Sequence, residues 1–193
     1  MSFYPQDARV PVELRTQEFL LRPLRATDVE LDYDALMESK EMLRQWGQGS
    51  WPRDDFTLAE NLKDLERHER DHLERKAFTF TVMDLTETKC LGCVYIQPLP
   101  AELQDVCVEP AEEDSYGAWI WFWVRQSRLE DDLDKRLLEA LTDWFEREWS
   151  FSCAVFVTGK HNERQVELMR EAGLQFRREV ESEGRSAKWV VYG

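Results

Sequence analysis

The sequence predicts an α/β fold, a mixed sheet of about seven strands with helices on both faces. Apolar runs of strand length alternate with amphipathic segments of helical period. One run, AWIWFWV at residues 118–124, is apolar on both faces, which is typical of a central strand covered on both sides. The length of 193 residues, with 42 % hydrophobic and 12 % aromatic residues, suits one core. We therefore expect a single domain over residues 1–193, with about residues 1–13 irregular.

The first half of the chain predicts one strand and two helices. Residues 19–24 form a short apolar run containing a proline, which suits an edge strand. Thr27 with Glu30, and Thr57 with Glu60, have the spacing of capping boxes that begin helices. The first helix buries a face containing Val29, Tyr33, Leu36 and Met37, and the second extends to about residue 76.

The second half predicts the rest of the sheet. From residue 78 the apolar period becomes two, and a turn at 86–89 joins two strands of a hairpin. After a proline-containing loop at 98–115, the segments are a strand at 118–124, a helix carrying Leu133 and Leu137, a strand at 153–157, a helix at 162–172 closed by Gly173, and strands at 174–180 and 187–192. The predicted order is β-α-α-β-β-β-α-β-α-β-β.

The formal net charge of −14 constrains the partners. A strongly acidic chain opposes a polyanion, so we expect no nucleic acid; a cationic or amine-bearing partner fits better. The early residues lack the apolar run of a signal peptide or membrane span. We expect a cytoplasmic protein that does not bind membranes, as a monomer or homodimer.

The cysteines and histidines offer two metal-like patterns. The four cysteines are expected to be free thiols, and Cys90 and Cys93, although spaced like a redox or zinc pair, lie in an apolar run typical of a buried strand. His68-Glu-Arg-Asp-His72 matches the zinc-peptidase motif, but its intervening charges favour a solvated helix. The prediction is that no metal is bound.

Several strings, in the right order, resemble the GNAT superfamily of acyl-CoA-dependent N-acyltransferases. They are Glu18-Phe-Leu-Leu-Arg-Pro-Leu24 followed by Asp28, Leu91-Gly-Cys-Val-Tyr-Ile96, and Asn162 followed by Glu171-Ala-Gly173-Leu174. The first is similar to the branch that acetylates ribosomal-protein N-termini. The resemblance implies an N-acetyltransferase that moves an acyl group from acetyl-CoA to a primary amine of a small molecule or peptide, by direct attack and without a metal.

The resemblance also implies cofactor-binding residues. The central strand would place Val124 and Arg125 beside the pantetheine, and the next helix would receive the pyrophosphate at its N-terminus. The implied set is Val124, Arg125, Arg128, Leu133, Asp134 and Asn162. Where the family carries two glycines in this turn, the sequence has Asp132 and Asp134, whose carboxylates oppose phosphate. Nearby cations, Arg125, Arg128, Lys135 and Arg136, can partly offset them, and the two aspartates can equally be helix caps.

The acid–base groups of many relatives are replaced here. Trp119 stands where relatives carry a glutamate base, and Met169 where they carry a tyrosine acid. We assign the catalytic base to the acidic run before the central strand, Glu113 or Asp114, with Glu112 as a neighbour. Trp46 and Trp51 border the expected acceptor pocket, where cation–π contact suits an amine; core packing is the other explanation.

A second hypothesis comes from the acidic turn. A chain with the same fold that has lost catalysis would bind a small ligand or a partner protein instead. The run Asp131, Asp132 and Asp134 is the feature that favours this alternative.

Overall fold

A computed structural model describes residues 3–107, 116–181 and 188–193. Its eight strands form one sheet in the order β1-β2-β3-β4-β5-β6-β8-β7. The strands are β1 (Leu14–Arg15), β2 (Phe19–Pro23), β3 (Phe78–Asp84), β4 (Cys90–Pro98), β5 (Gly117–Val124), β6 (Cys153–Gly159), β7 (Phe176–Glu181) and β8 (Lys188–Tyr192). Of these described strands, only β5 and β6 pair in parallel, so the predicted mixed sheet is confirmed. The strand beyond the expected seven is the two-residue β1, too short to leave a periodic signal.

In the described part of the chain, five α-helices cover the sheet. They are α1 (Val29–Glu38), α2 (Lys40–Trp46), α3 (Leu58–Leu73), α4 (Leu133–Glu148) and α5 (Glu163–Glu171). The single first helix expected from the sequence is wrong, since α1 and α2 are separated at Ser39. This residue is fully buried, and its hydroxyl accepts a hydrogen bond from the Gln126 amide at 3.0 Å. The Thr57–Glu60 capping box is confirmed at the start of α3.

Strand β5 lies at the centre of the molecule, as its two-faced apolar sequence predicts. Ile120, Phe122 and Val124 belong to the core beneath α4 and α5. Trp123, of the opposite parity, belongs to the core beneath α1, α2 and α3. The strand therefore separates two hydrophobic layers, and a change at its end is felt on both faces of the sheet.

The capping box expected at Thr27 and Glu30 is wrong. A short 3-10 turn, Ala26–Asp28, precedes α1, and the Asp28 carboxylate accepts a hydrogen bond from the Arg25 amide at 3.1 Å. The same carboxylate binds the Arg22 guanidinium of β2 through two bonds of 2.7 and 2.9 Å. This buried bidentate pair fixes the start of α1 against the sheet. Capping rules did not predict it, because they consider residues near the helix in sequence and Arg22 belongs to a strand.

The expectation of four free thiols is also wrong. Cys107 and Cys153 form a disulfide that links the segment after the 3-10 helix Ala101–Val106 to the start of β6. Cys90 and Cys93 are buried free thiols, as predicted. Within the described ranges, no helix has the length and hydropathy needed to cross a bilayer.

Candidate functional site

The sheet opens beside the end of β5. The parallel pairing of β5 with β6 runs from Gly117↔Cys153 to Ile120↔Phe156 and then stops. Beyond that point β5 continues beside β4, while β6 continues beside β8 to Gly159. The gap between the two strands follows directly from this change of partner.

The backbone of Val124 faces the gap. The Arg125 amide donates to Leu91 O on β4 at 2.7 Å, so the amide and carbonyl of its neighbour Val124 point the other way, because these groups alternate along a strand. Of the predicted cofactor set, the structure thus brings the backbone of Val124 to the gap and points the backbone amide of Arg125 away from it.

Gln165 of α5 bridges the narrow end of the gap. Its amide nitrogen donates to Phe122 O on β5 at 2.9 Å, and its amide oxygen accepts from the Thr158 hydroxyl on β6 at 2.6 Å. The same oxygen accepts from Asn162 Nδ2 at 3.1 Å, and Asn162 Oδ1 caps α5 by accepting from the Gln165 amide. Asn162 therefore lies beside the gap, as a cap that also orients the bridging side chain.

The turn into α4 has the backbone of a glycine turn. Asp132, one of the two positions where the sequence comparison places glycine, has φ +54° and ψ +33°, in the left-handed region. Glycine enters this region at little cost, whereas most side chains are disfavoured there. The chain keeps the conformation although it lacks the residue.

Arg164 neutralises the aspartates at this helix terminus. Its guanidinium binds Asp134 through Nε at 2.6 Å and Nη2 at 2.8 Å, and Nη2 also donates to Asp132 Oδ1 at 2.9 Å and Leu129 O at 2.8 Å. Asp134 is 1 % exposed. We call Arg164, Asp132 and Asp134 the α4 clamp. Its two carboxylates lie where a helix N-terminus otherwise attracts an anion.

Among the described residues, the cations expected to offset Asp132 and Asp134 pair with neither of them. Arg125 is buried and binds Cys90 O, Asp34 and Glu38 on the α1 side of the sheet. Each of the others pairs with a carboxylate: Arg128 with Asp131, Lys135 with Glu171, and Arg136 with Glu18. The sequence analysis missed Arg164, which lies in a charge-rich helix 30 residues after Asp134 and carries no local signal. Leu133, also in the predicted set, begins α4 with its side chain in the core.

A cavity of about 440 Å³ lies on the opposite face of the sheet, among α1, α2, α3 and the ends of β4, β5 and β8. Trp46 and Trp51, predicted to border an acceptor pocket, are both in its wall. Its other aromatic residues are Tyr95, Trp121 and Trp189. Trp121 directly follows Ile120, the last residue of β5 that pairs with β6, so the cavity reaches the opening of the sheet.

Two contacts hold this cavity together. The Gln48 side-chain amide bonds both backbone groups of Lys188, at 2.7 and 3.0 Å, and so ties the segment after α2 to β8. Trp46 and Trp121 meet edge to face with ring centroids 5.9 Å apart. The indole nitrogen of Trp46 is buried and has no hydrogen-bond partner among the described residues.

Asp32 lies in the wall of the cavity and is 4 % exposed. Asn61 of α3, also in the wall, donates a hydrogen bond to Asp32 Oδ2 at 2.8 Å. Burial raises the pKa of Asp32 to about 6 despite the bond from Asn61, and the charges of Asp28 and Asp64 act in the same direction as burial. The signal that could have found Asp32 is its spacing, three residues after Val29 and four before Leu36, on the apolar face of its helix.

The two histidines of the HERDH string both contact Thr79 of β3. His68 lies between the Thr79 hydroxyl, 3.0 Å from its Nδ1, and Arg67 Nη2, 3.1 Å from its Nε2. Because the guanidinium only donates, Nε2 is the accepting nitrogen. Burial and the Arg67 charge lower the pKa of His68 to about 4, so its ring is neutral near pH 7. In the described part of the chain, no three His, Cys, Asp or Glu side chains lie close enough together to hold a metal ion.

The predicted base positions, Glu113 and Asp114 with their neighbour Glu112, lie outside the described residues. Trp119 and Met169, which replace acid–base residues of relatives, are buried in two hydrophobic clusters. These two positions supply no titratable group.

Comparisons with known proteins bear on the fold. No protein-family model and no curated protein matches the sequence. Solved structures match over nearly the whole chain. One is RimL, a ribosomal L7/L12 α-N-protein acetyltransferase in complex with coenzyme A, at 14 % identity and TM-score 0.70 over 93 % of this chain and 96 % of that one. The chain has the GNAT fold.

Two further structures extend the likeness. The ribosomal-protein-S5-alanine acetyltransferase from Vibrio fischeri matches at 15 % identity and TM-score 0.68 over 94 % of this chain and 95 % of that one. The microcin C7 self-immunity acetyltransferase MccE, in complex with acetyl-CoA and AMP, matches at 15 % identity and TM-score 0.69 over 92 % of each chain. The GNAT fold expected from the sequence strings is confirmed, and ribosomal-protein acetyltransferases are among the matching structures.

Proposed function

We propose that this chain is an acyl-CoA-dependent N-acyltransferase that moves an acetyl or related acyl group to a primary amine by direct attack. The observation that carries the proposal is the opening between β5 and β6 beside an aromatic, acid-containing cavity. A gap in a sheet lets a thioester on one face meet an amine on the other. Similar structures bound to CoA or acetyl-CoA support this choice of donor.

The residues present fit a CoA donor at the gap. Backbone groups of Val124 would hold the pantetheine, and the first-turn amides of α4 would face the pyrophosphate. Arg164 is the cation that pairs with the aspartates at this terminus, and its side chain is 41 % exposed. It would bind phosphate by releasing Asp132, while Asp134 remains its partner on the buried side.

The α4 clamp also supports a second function from a different class. Two carboxylates already occupy the helix terminus, and the Gln165 bridge already binds both strands. A chain that no longer uses CoA could keep the cavity as a binding site for a small cationic ligand.

Titration with acetyl-CoA separates the two functions. A donor present at one hundred times its dissociation constant stabilises the folded chain by about 2.7 kcal/mol, which a thermal-shift measurement detects. An assay of acetyl transfer to a primary amine, in which the released free thiol is measured, then completes the test. No shift with acetyl-CoA, CoA or longer acyl-CoAs would leave the binding module as the better explanation.

Variants of the clamp test the pyrophosphate site. Asp132→Gly removes a carboxylate at a left-handed position and should raise the affinity for CoA by about fivefold, the effect expected of one surface charge contact. Arg164→Ala should weaken CoA. Pantetheine, which lacks the pyrophosphate, is the matched control, and its affinity should not change in the Asp132 variant. If calorimetry gives CoA and pantetheine the same response, the donor does not use this turn.

A further inference from the structure

Within residues 3–107, 116–181 and 188–193, the Asp32 carboxylate has no cationic partner. Its one hydrogen-bond partner among the described residues is the neutral amide of Asn61, and no lysine, arginine or histidine in those ranges lies within ion-pair distance. Burying a carboxylate without a cation is costly, and most proteins avoid it by pairing the charge. The missing cation is therefore informative about what enters the cavity.

The other charged side chains of the cavity already have partners. Arg67 Nη2 lies 3.4 Å from Asp64 Oδ1 and 3.1 Å from His68 Nε2, so one guanidinium serves both side chains. Asp64 is also 41 % exposed. Asp32 is thus the buried anion of the cavity, and Trp46, Trp121 and Tyr95 surround the same space with aromatic rings, whose faces attract cations.

We infer that Asp32 binds the ammonium group of the acceptor and takes its proton before acyl transfer, which makes it a catalytic residue. This inference rests on the proposed function and gives a different candidate for the base from the predicted Glu113 and Asp114. A carboxylate–ammonium bond inside an aromatic cavity also selects the acceptor class, a primary amine carried on an apolar or aromatic body that fills about 440 Å³.

The proton and electron balance is complete. One N–H proton of the ammonium passes to Asp32, which leaves a neutral amine. The nitrogen lone pair forms the C–N bond to the thioester carbonyl carbon, and the C–S electron pair leaves with sulfur. A second nitrogen proton passes through solvent to the thiolate, giving free thiol and amide, and Asp32 returns its proton to solvent.

The groups facing Asp32 set its response to pH. Asp28 before α1 and Asp64 on α3 raise its pKa, and Asn61 on α3 lowers it. From β4, the thiols of Cys90 and Cys93 and the Tyr95 hydroxyl face the same region, and the pKa of each is raised by burial, so all three are neutral near pH 7. Asp32 therefore changes charge near pH 6 while these β4 groups do not.

A binding experiment tests ammonium recognition without the donor. Phenethylamine and its neutral analogue 2-phenylethanol are titrated into the full chain at pH 8 and pH 5, and tryptophan fluorescence or calorimetry gives the affinity. The wild type should prefer the ammonium by about tenfold or more at pH 8, and less at pH 5, where Asp32 is protonated. Asp32→Asn, which keeps the shape and the bond from Asn61, should lose this preference.

Asp64→Asn is the matched control, since it removes a second carboxylate of the same cavity. It should keep the ammonium preference within about threefold, as expected for a half-exposed, already paired charge. Equal binding of the two probes by the wild type, or equal losses in the two variants, would overturn the assignment of Asp32.

A transfer experiment then separates this inference from the proposed function. With acetyl-CoA and phenethylamine, Asp32→Asn should lower kcat by about 100-fold or more and remove the acidic limb of the pH profile near pH 6. Full activity in this variant would refute the role of Asp32 and leave acyl transfer intact. Ammonium binding that depends on Asp32, in a chain that binds no acyl-CoA, would refute acyl transfer and keep ammonium recognition.

Discussion

Replacing Asp32 with asparagine should stabilise the protein at neutral pH. The carboxylate is 4 % exposed, and burial raises its pKa from 3.8 to about 6. The folded chain therefore holds the Asp32 proton more tightly than the unfolded chain, and folding stability falls as pH rises between these two values. Well above pH 6 the ionised carboxylate costs about 3 kcal/mol, and the neutral amide avoids that cost.

Urea unfolding at pH 5 and pH 8 measures this effect. The stability gained by Asp32→Asn should be larger at pH 8 than at pH 5 by roughly 1.5 kcal/mol. This is about half of the full cost of the ionised carboxylate, because the other half already develops below pH 5. The burial-lowered pKa values of His68 and His72 oppose this trend, since stability from a buried neutral histidine increases with pH. The variant is therefore compared with the wild type at each pH, which cancels the histidines.

Asp64→Asn again provides the control, because its carboxylate is half exposed and close to Arg67. Its effect on unfolding should change little between the two pH values. A gain for Asp32→Asn that is the same at pH 5 and pH 8, or a loss at both, would refute the claim that Asp32 is a buried anion without compensation.

Three further predictions concern the gap and the sheet. Arg164→Ala should lower the free energy of unfolding by about 2–3 kcal/mol, because it leaves the buried Asp134 without its cation. Arg164→Lys should restore part of that loss, and equal stability of the wild type and both variants would contradict the pairing. Gly92→Ala should lower the free energy of unfolding by about 3 kcal/mol, since the added Cβ would lie 2.2 Å from Trp123 O. Gly173→Ala, with open space around it and φ +80°, should lower it by about 1 kcal/mol. Chemical denaturation measures both, and the reverse order would be inconsistent with the close strand contact at Gly92. Reducing the disulfide, whose cysteines lie 46 residues apart, should lower stability by about 4 kcal/mol in urea melts with and without dithiothreitol, and coincident melts would count against a bond between those thiols.

Local patterns predicted most of the fold. The two-faced apolar run at residues 118–124 identified the central strand, because a strand covered on both faces has no polar side. Thr57 with Glu60 identified the start of α3, and Gly173 the end of α5, because caps involve residues a few positions apart. Each of these signals lies within one element and its neighbours in sequence.

The departures came from contacts between distant residues. Thr27 has the right spacing for a cap, but Arg22 of the neighbouring strand binds Asp28 and moves the start of the helix. Cys107 and Cys153 looked independent because 46 residues separate them. Sequence spacing describes a helix or a turn well and contains little about which elements meet.

The candidate site divides in the same way. Trp46 and Trp51 were found because they stand in the break between two predicted helices, a local feature, and in the segment that the resemblance places beside the acceptor pocket. The structure places both in one cavity wall. Arg164 and Gln165 were missed, since their partners come from α4, β5 and β6. The assignment of Glu113 and Asp114 as base has no structural test in the described ranges and stays a prediction.

The left-handed turn at Asp132 affects how easily this chain can acquire new chemistry. Substitutions that improve a binding site commonly reduce folding stability, so adaptation is limited by the stability that a protein can lose. At this turn the backbone already has φ +54°, and glycine there would relieve about 1 kcal/mol of conformational strain. That relief offsets the surface ion pair lost with Arg164. A single replacement could therefore strengthen anion binding at α4 with the fold left as stable as before, an evolutionary step without the usual compensating mutation.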